Sequence, residues 1–119
     1  SPATESYENV LNKYKQPWTC YYFIIKNNEK VGAVRVIDKK DRSRKRISPI
    51  WIMPVFRNQG LGQLAIRELE KIYGSHHWRL DTILQEQGNI YLYEKMGYKR
   101  IGDIENIKDG MDIVYFHKD

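Results

Sequence analysis

The chain has 119 residues, with 20 Lys and Arg against 15 Asp and Glu, a net charge of +5. That mixed, mildly basic balance and a 41% share of apolar and aromatic residues exclude a disordered polyelectrolyte and predict one modest core, hence a single domain over residues 1–119. The one cysteine, Cys20, excludes an internal disulfide or a cysteine-rich zinc site and makes a reducing, cytoplasmic compartment the expectation. The longest charge-free apolar run, Ile50 to Phe56, falls short of the ~20 residues a membrane span needs. No secretory leader and no membrane association are expected.

Ser1 to Gln16 reads as a helix. Tyr7, Val10, Leu11 and Tyr14 recur at helical spacing, Ser and Thr near the start can cap it, and Pro17 ends it. Thr19 to Lys26 is rich in aromatic and β-branched residues and predicts a strand. A turn at residues 27–30 leads to a second strand, Val31 to Asp38. A polar loop, Lys39 to Arg46, precedes a third strand, Ile47 to Met53. Pro49 cannot donate to a ladder, so it must sit at a strand entrance or a bulge. Gly60 to Tyr73 has an apolar stripe at Leu61, Leu64, Ala65, Leu69 and Ile72, the mark of an amphipathic helix. Trp78 to Leu84 reads as a strand. Asn89 to Met96 reads as a short helix closed by Gly97. Tyr98–Ile107 and Met111–Lys118 form a hairpin turned through Lys108-Asp109-Gly110. The order α-β-β-β-α-β-α-β-β predicts an α/β domain with a mixed sheet of about six strands and three helices. The helix between the third and fourth strands should make them parallel.

The segment from Met53 to Gly62 leaves a strand and opens a helix. Helix starts leave unpaired N–H groups and carry partial positive charge. Gly60 and Gly62 admit close approach of a ligand, and Arg57 adds a forked cation. This is the physics of a phosphate cradle. No Gly-Lys-Ser/Thr follows, so it is not a P-loop, and the glycine spacing is not that of a dinucleotide fold.

Arg57-Asn58-Gln59-Gly60-Leu61-Gly62 resembles the R/Q-x-x-G-x-G/A motif of the GNAT superfamily of acetyl-CoA-dependent N-acetyltransferases. Ile50-x-Ile52-x-Pro54 looks like that family's preceding strand. Leu92-Tyr93-Glu94-Lys95-Met96-Gly97-Tyr98 looks like its second signature. The resemblance covers nearly the whole chain. It implies a GNAT-like sheet whose central parallel pair is splayed at the cofactor site. It implies that the amides of Asn58, Gln59, Gly60, Leu61 and Gly62, with Arg57 beside them, hold the pyrophosphate of acetyl-CoA, used as cosubstrate with no metal. It also implies that the pantetheine arm pairs with backbone around Ile52 and Met53, and that Tyr93 faces the sulfur and protonates the leaving thiolate.

The implied reaction is direct acetyl transfer to a primary amine, on a small molecule or a peptide. The general base is not identified. Glu86 and Asp81 are the candidates, and Asp81 is equally an ion-pair partner. Glu86 also stands seven residues before Tyr93, where many members carry an asparagine. The alternative is a GNAT-like module that binds CoA or a protein without significant turnover.

Six basic residues in the eight from Lys39 to Arg46 read as a solvated loop tip, and no nucleic acid is expected because no aromatics interleave them. His76, His77 and His117 do not read as a metal site, and Cys20 reads as a buried, inert thiol. Family members usually begin with a strand and helix before the segment read here as the first helix. The chain therefore reads as a fragment or a shortened form, with Thr19–Lys26 as an exposed edge. A dimer or larger assembly covering that edge is the expectation, a homodimer being one form of it.

Overall fold

The computed structural model describes residues 4–6 and 17–119. Seven strands form one sheet: β1 (Thr4–Ser6), β2 (Thr19–Lys26), β3 (Glu29–Ile37), β4 (Lys45–Ile52), β5 (Trp78–Ile83), β6 (Lys99–Lys108) and β7 (Met111–Lys118). Two α-helices, α1 (Leu61–Tyr73) and α2 (Gln87–Lys95), and a short 3-10 turn at Pro54–Phe56 complete the described part. The sheet order is β1-β2-β3-β4-β5-β7-β6.

The expected helix over Ser1–Gln16 is corrected at its start. Thr4–Ser6 is a strand, pairing antiparallel with Ile24, Phe23 and Tyr22. The helical spacing begins only at Tyr7, so residues 4–6 had no periodicity to hold them in a helix, and the open edge of β2 offers them backbone partners. The rest of that expected helix lies outside the described residues. The sheet thus has seven strands rather than six, and two α-helices rather than three are seen among the described residues. The expected open edge at β2 is also covered, over these three pairs.

The two hairpins form where the turn residues allow. Asn27 and Asn28 both have left-handed φ, 50° and 64°, which matches the twist of the flanking strands. Pro49 lies at a bulge. Val34 pairs with Ile50 but Val36 with Ile47, so two residues of β4 face one of β3. The Arg35 Nε closes the irregularity by donating to Ser48 O at 2.7 Å.

The core lies on one face of the sheet. Val34, Val36, Ile47, Ile50, Leu80, Trp78, Val114 and Phe116 meet Ala65, Ile66 and Leu69 of α1 and Ile90 and Tyr93 of α2 in a single buried cluster. Tyr73 ends α1 with its hydroxyl 2.6 Å from that of Tyr22 on β2. Lys118 on β7 ties the helices together. Its ammonium donates to Glu70 Oε2 on α1 at 2.9 Å and to Met96 O, just past α2, at 2.8 Å. The opposite face carries half-buried polar groups, Arg35, Arg46, Asp81 and Tyr115 among them.

Leu69 is fully buried. Its replacement by Ala should cost about 2–5 kcal/mol, through lost burial and the cavity left behind. Urea unfolding followed by circular dichroism measures it.

Candidate active site

β4 and β5 are parallel, as expected, but they pair only at Lys45 with Trp78 and Arg46 with Arg79. Beyond that rung the two strands part, and a V-shaped gap opens toward their C-terminal ends. The β3–β4 register decides which backbone groups of β4 face the gap. Met53 N–H donates to Val31 O at 2.8 Å. Antiparallel strands alternate the side to which their peptide groups point. Trp51 and Met53 therefore turn toward β3, while Ile50 and Ile52 turn toward the gap. Of the pair Ile52 and Met53, only Ile52 offers its amide there, and Ile50 joins it. The Met53 N–H is already held by β3 and is not offered to the gap.

At the mouth of the gap the chain turns into α1. Arg57 Nε donates to Ile52 O at 2.8 Å, so the guanidinium caps the gap-facing carbonyl and stays exposed beside the loop. Asn58 and Gly60 both adopt left-handed φ, 62° and 77°. Leu64 N–H donates to Gly60 O at 3.0 Å, the first bond of the helix. Among the described residues, the amides from Asn58 to Gln63 have no backbone acceptor. Loop and first turn carry no acidic side chain. Lys26, at the end of β2, donates to Gln59 Oε1 and sits 6.0 Å from the centre of the Phe56 ring. The result is a nest of free amides with two cations at its rim and no competing carboxylate, which fits a phosphate group.

The two glycines play different parts. A Cβ at Gly60 would meet nothing within 4 Å, whereas one at Gly62 would lie 2.9 Å from Leu92 Cδ2 and 3.5 Å from Ile52 Cδ1. Gly62 lets α1 close on α2 and β4; Gly60 turns the backbone and leaves its outer side open.

Tyr93 projects from α2 into the core and is 4% exposed. Its ring lies 6.1 Å from those of Tyr98 and Phe116. Phe116 pairs with Leu80 on β5, which places Tyr93 level with the base of the V, on the helix side. Burial first, and then the nearby Asp81 carboxylate, push its phenol above the ordinary tyrosine value. The hydroxyl therefore stays protonated at any working pH and acts as a donor.

The two base candidates are not brought together with Tyr93. Asp81 faces the open side of the sheet and pairs with Arg46 at 3.0 Å. Glu86 is exposed at the N-cap of α2, and its carboxylate makes no capping bond. Seven helical residues separate it from Tyr93, about 10 Å along the axis. Asn89 sits nearer, donating to Thr82 Oγ1 at 3.4 Å.

The basic loop is partly turned inward. Arg44 donates to Trp78 O at 3.1 Å, Lys45 to His76 O at 2.8 Å, and Arg46 holds Asp81. Cys20 is half-buried rather than buried. Among the described residues, no three His, Cys, Asp or Glu side chains gather as a metal site. No described helix is long and apolar enough to cross a membrane.

Sequence reasoning missed Ile50, Lys26 and the row of basic side chains described below. Only strand register and sheet order place them, and no local motif marks them.

A splayed parallel pair, with an anion nest where the first strand of the pair enters its helix, defines the architecture of an acyl-CoA-dependent acetyltransferase. The acetyltransferase (GNAT) family model matches residues 1–98, and the chain belongs to that family. It is 26% identical over 103 residues to YdgE of Bacillus subtilis (strain 168), described as an uncharacterized N-acetyltransferase. The match covers 81% of this chain and 66% of that one. The chain thus spans just under two thirds of that relative's length. A GNAT acetyltransferase from Elizabethkingia anophelis with acetyl-CoA bound superposes with a TM-score of 0.69 at 21% identity, over 93% of this chain and 82% of that one. Spermidine N-acetyltransferase from Vibrio cholerae, in complex with CoA and spermine, gives a TM-score of 0.73 at 18% identity, over 92% of this chain and 70% of that one.

Gly62→Ala should destabilise by about 1 kcal/mol, because the Leu92 side chain must give way. Gly60→Ala should cost about 1 kcal/mol through backbone strain alone. Chemical denaturation of the two variants side by side checks both.

Proposed function

We propose that the chain is an N-acetyltransferase that moves an acetyl group from acetyl-CoA to a primary amine by direct attack. The nest of unbonded amides from Asn58 to Gln63, opening onto the split between β4 and β5, carries this reading. When bound, acetyl-CoA supplies an acetyl group activated as a thioester. The amides of Asn58 to Gly62 and the Arg57 guanidinium hold its phosphates. Ile52 and Ile50 offer backbone donors along β4, one to align the arm and one to polarise the thioester carbonyl as charge develops on it.

Tyr93 donates a hydrogen bond to the departing sulfur. Its raised pKa makes full proton transfer to a thiolate uphill, so its part is to stabilise charge rather than to ionise. Asp81 is held by Arg46, and Glu86 stands at the far end of α2, so the amine proton leaves through solvent at the open face. The reading implies a cytoplasmic enzyme, where acetyl-CoA is available.

The absence of an unpaired carboxylate among the described residues of the gap favours one second reading, a CoA-binding module without significant turnover. One pair of measurements decides. Acetyl-CoA at a hundred times its Kd should stabilise the protein by about 2.7 kcal/mol, seen as a rise in Tm. Release of free thiol in the presence of an amine panel should accompany it. Stabilisation without thiol release would select the binding module.

Tyr93→Phe should lower kcat about 100-fold with little change in KM for acetyl-CoA, since it removes one donor to developing charge. Arg57→Ala should raise KM for acetyl-CoA about tenfold, in keeping with a charge-assisted phosphate contact. Steady-state kinetics of the two variants separates the roles.

A further inference from the structure

The face of the sheet opposite α1 and α2 carries a row of basic side chains at the base of the V. Strand register places Arg46 beside Arg79, Arg79 beside His117, and His117 beside Lys99. Directly paired residues point to the same face of a sheet. Their chain neighbours Trp78, Leu80 and Phe116 fill the core, so Arg79 and His117 point to the open side. The rung Arg46–Arg79 is the last closed one before the strands part.

Beside this row lies an open depression of about 340 Å³, lined by Arg79, Ile101, Gly102, Tyr115 and His117 among others. It exists because β6 bulges. Ile101 pairs with Tyr115 and Glu105 with Ile113, so three residues of β6 span one of β7. Gly102, at φ 64° with open space where a Cβ would stand, leaves the floor uncovered.

The charges here do not cancel. Asp81 is held by Arg46 at 3.0 Å, while Glu105 accepts only from the neutral Tyr115 hydroxyl at 3.1 Å, so Arg46, Arg79 and Lys99 outnumber these two carboxylates by one. Arg79 and Lys99 are exposed, and among the described residues neither has an ion-pair partner. Arg44 adds positive charge near His117, and Asp119, which opposes it, is held by Arg44. Tyr93 stands at the same level of the V on the helix side, and among the described residues no helix covers the opposite face, which leaves that face for an acceptor to enter by.

We propose that the acceptor amine carries an anionic group, a carboxylate or a phosphate, which docks on Arg79 with His117 and Lys99 while its apolar body rests in the depression. This rests on the transferase reading above and names its substrate class. The transfer is otherwise unchanged: the N–C bond forms as the C–S bond breaks, the amine proton leaves to solvent, and solvent returns a proton to the released thiolate. Arg79 is the specificity-determining residue, since it joins the last rung to the depression.

Thiol release from acetyl-CoA is to be measured with two matched pairs, 4-aminobutyrate against 4-aminobutanamide and O-phosphoethanolamine against ethanolamine. In at least one pair the anionic member should have kcat/KM about tenfold higher, as one charge-assisted contact gives, and the pair that responds tells carboxylate from phosphate. Arg79→Gln should bring that ratio to within about twofold, chiefly through KM, while Arg79→Lys retains part of it. Lys99→Gln, on the exposed edge strand, should lower the ratio by a smaller factor. Equal or better use of the neutral members in both pairs, or a ratio that survives Arg79→Gln, would overturn the proposal.

If acetyl-CoA raises Tm but no amine releases thiol, the transferase reading fails by itself. The anion subsite is then judged by titrating N-acetyl-4-aminobutyrate and acetyl phosphate while following the His117 imidazole by proton NMR. A shift in the parent protein that Arg79→Gln abolishes supports the subsite. No shift with either probe overturns it.

Discussion

Two parallel strands that hydrogen-bond at one end and part at the other set the terms for the rest of this molecule. β4 and β5 share only the pairs Lys45–Trp78 and Arg46–Arg79. A sheet divided so early leaves backbone groups of β4 without strand partners, and such groups are costly where water is excluded. The structure answers by holding each strand from its outer side. β3 pairs with β4 up to Ile52, and β7 pairs with β5 along all six of its residues. What remains without a strand partner, the gap-facing amides of Ile50 and Ile52, is available to a ligand.

The helices then bridge what the strands do not. α1 and α2 meet across Gly62 and Leu92, near Ile52 of β4, while Tyr93 packs on Phe116 of β7. The Lys118 ammonium adds a polar clasp between Glu70 and the carbonyl of Met96. With both partners largely shielded, that clasp fixes orientation more than it adds stability. The same packing that closes the core on one side therefore fixes the tilt of α1, and so the direction of its free amides. One residue, Gly62, serves both ends, because its missing side chain is what allows the two helices to approach.

The two faces of the divided sheet differ in charge as well as in cover. On the helix side Tyr93 packs with Tyr98 and Phe116, and burial holds its phenol protonated. On the open side stand Arg35, Arg46, Arg79 and Lys99, against Asp81 and Glu105. His117 is held below its ordinary pKa by partial burial and by Arg44, so it is mostly neutral at pH 7 and its charge grows as the pH falls. An anion placed beside it would draw the proton back. The modest positive excess in the composition is thus not spread evenly. Part of it rims the amide nest, at Arg57 and Lys26, and part collects at the base of the V.

Much of this architecture was legible in the chain. The aromatic and β-branched run of β2, the helical stripe from Leu61 to Ile72 and the turn at Asn27-Asn28 are local patterns, and each element formed where its pattern lay. Pro49 announced its bulge because proline lacks an N–H. The segment from Arg57 to Gly62 announced an anion cradle because glycines, a helix start and a cation converge within six residues. Tertiary structure decided matters that depend on which strands become neighbours. It turned Thr4–Ser6 into a strand by offering them the edge of β2. It gave Met53 to Val31 and left Ile50 and Ile52 facing the gap, because register sets the side to which each peptide points. It paired Asp81 with Arg46 across 35 residues of sequence, and it aligned Arg79, His117 and Lys99 from three separate strands. Contacts made within one turn or one strand are written in sequence spacing. Contacts made across the sheet exist only once its order and register are set.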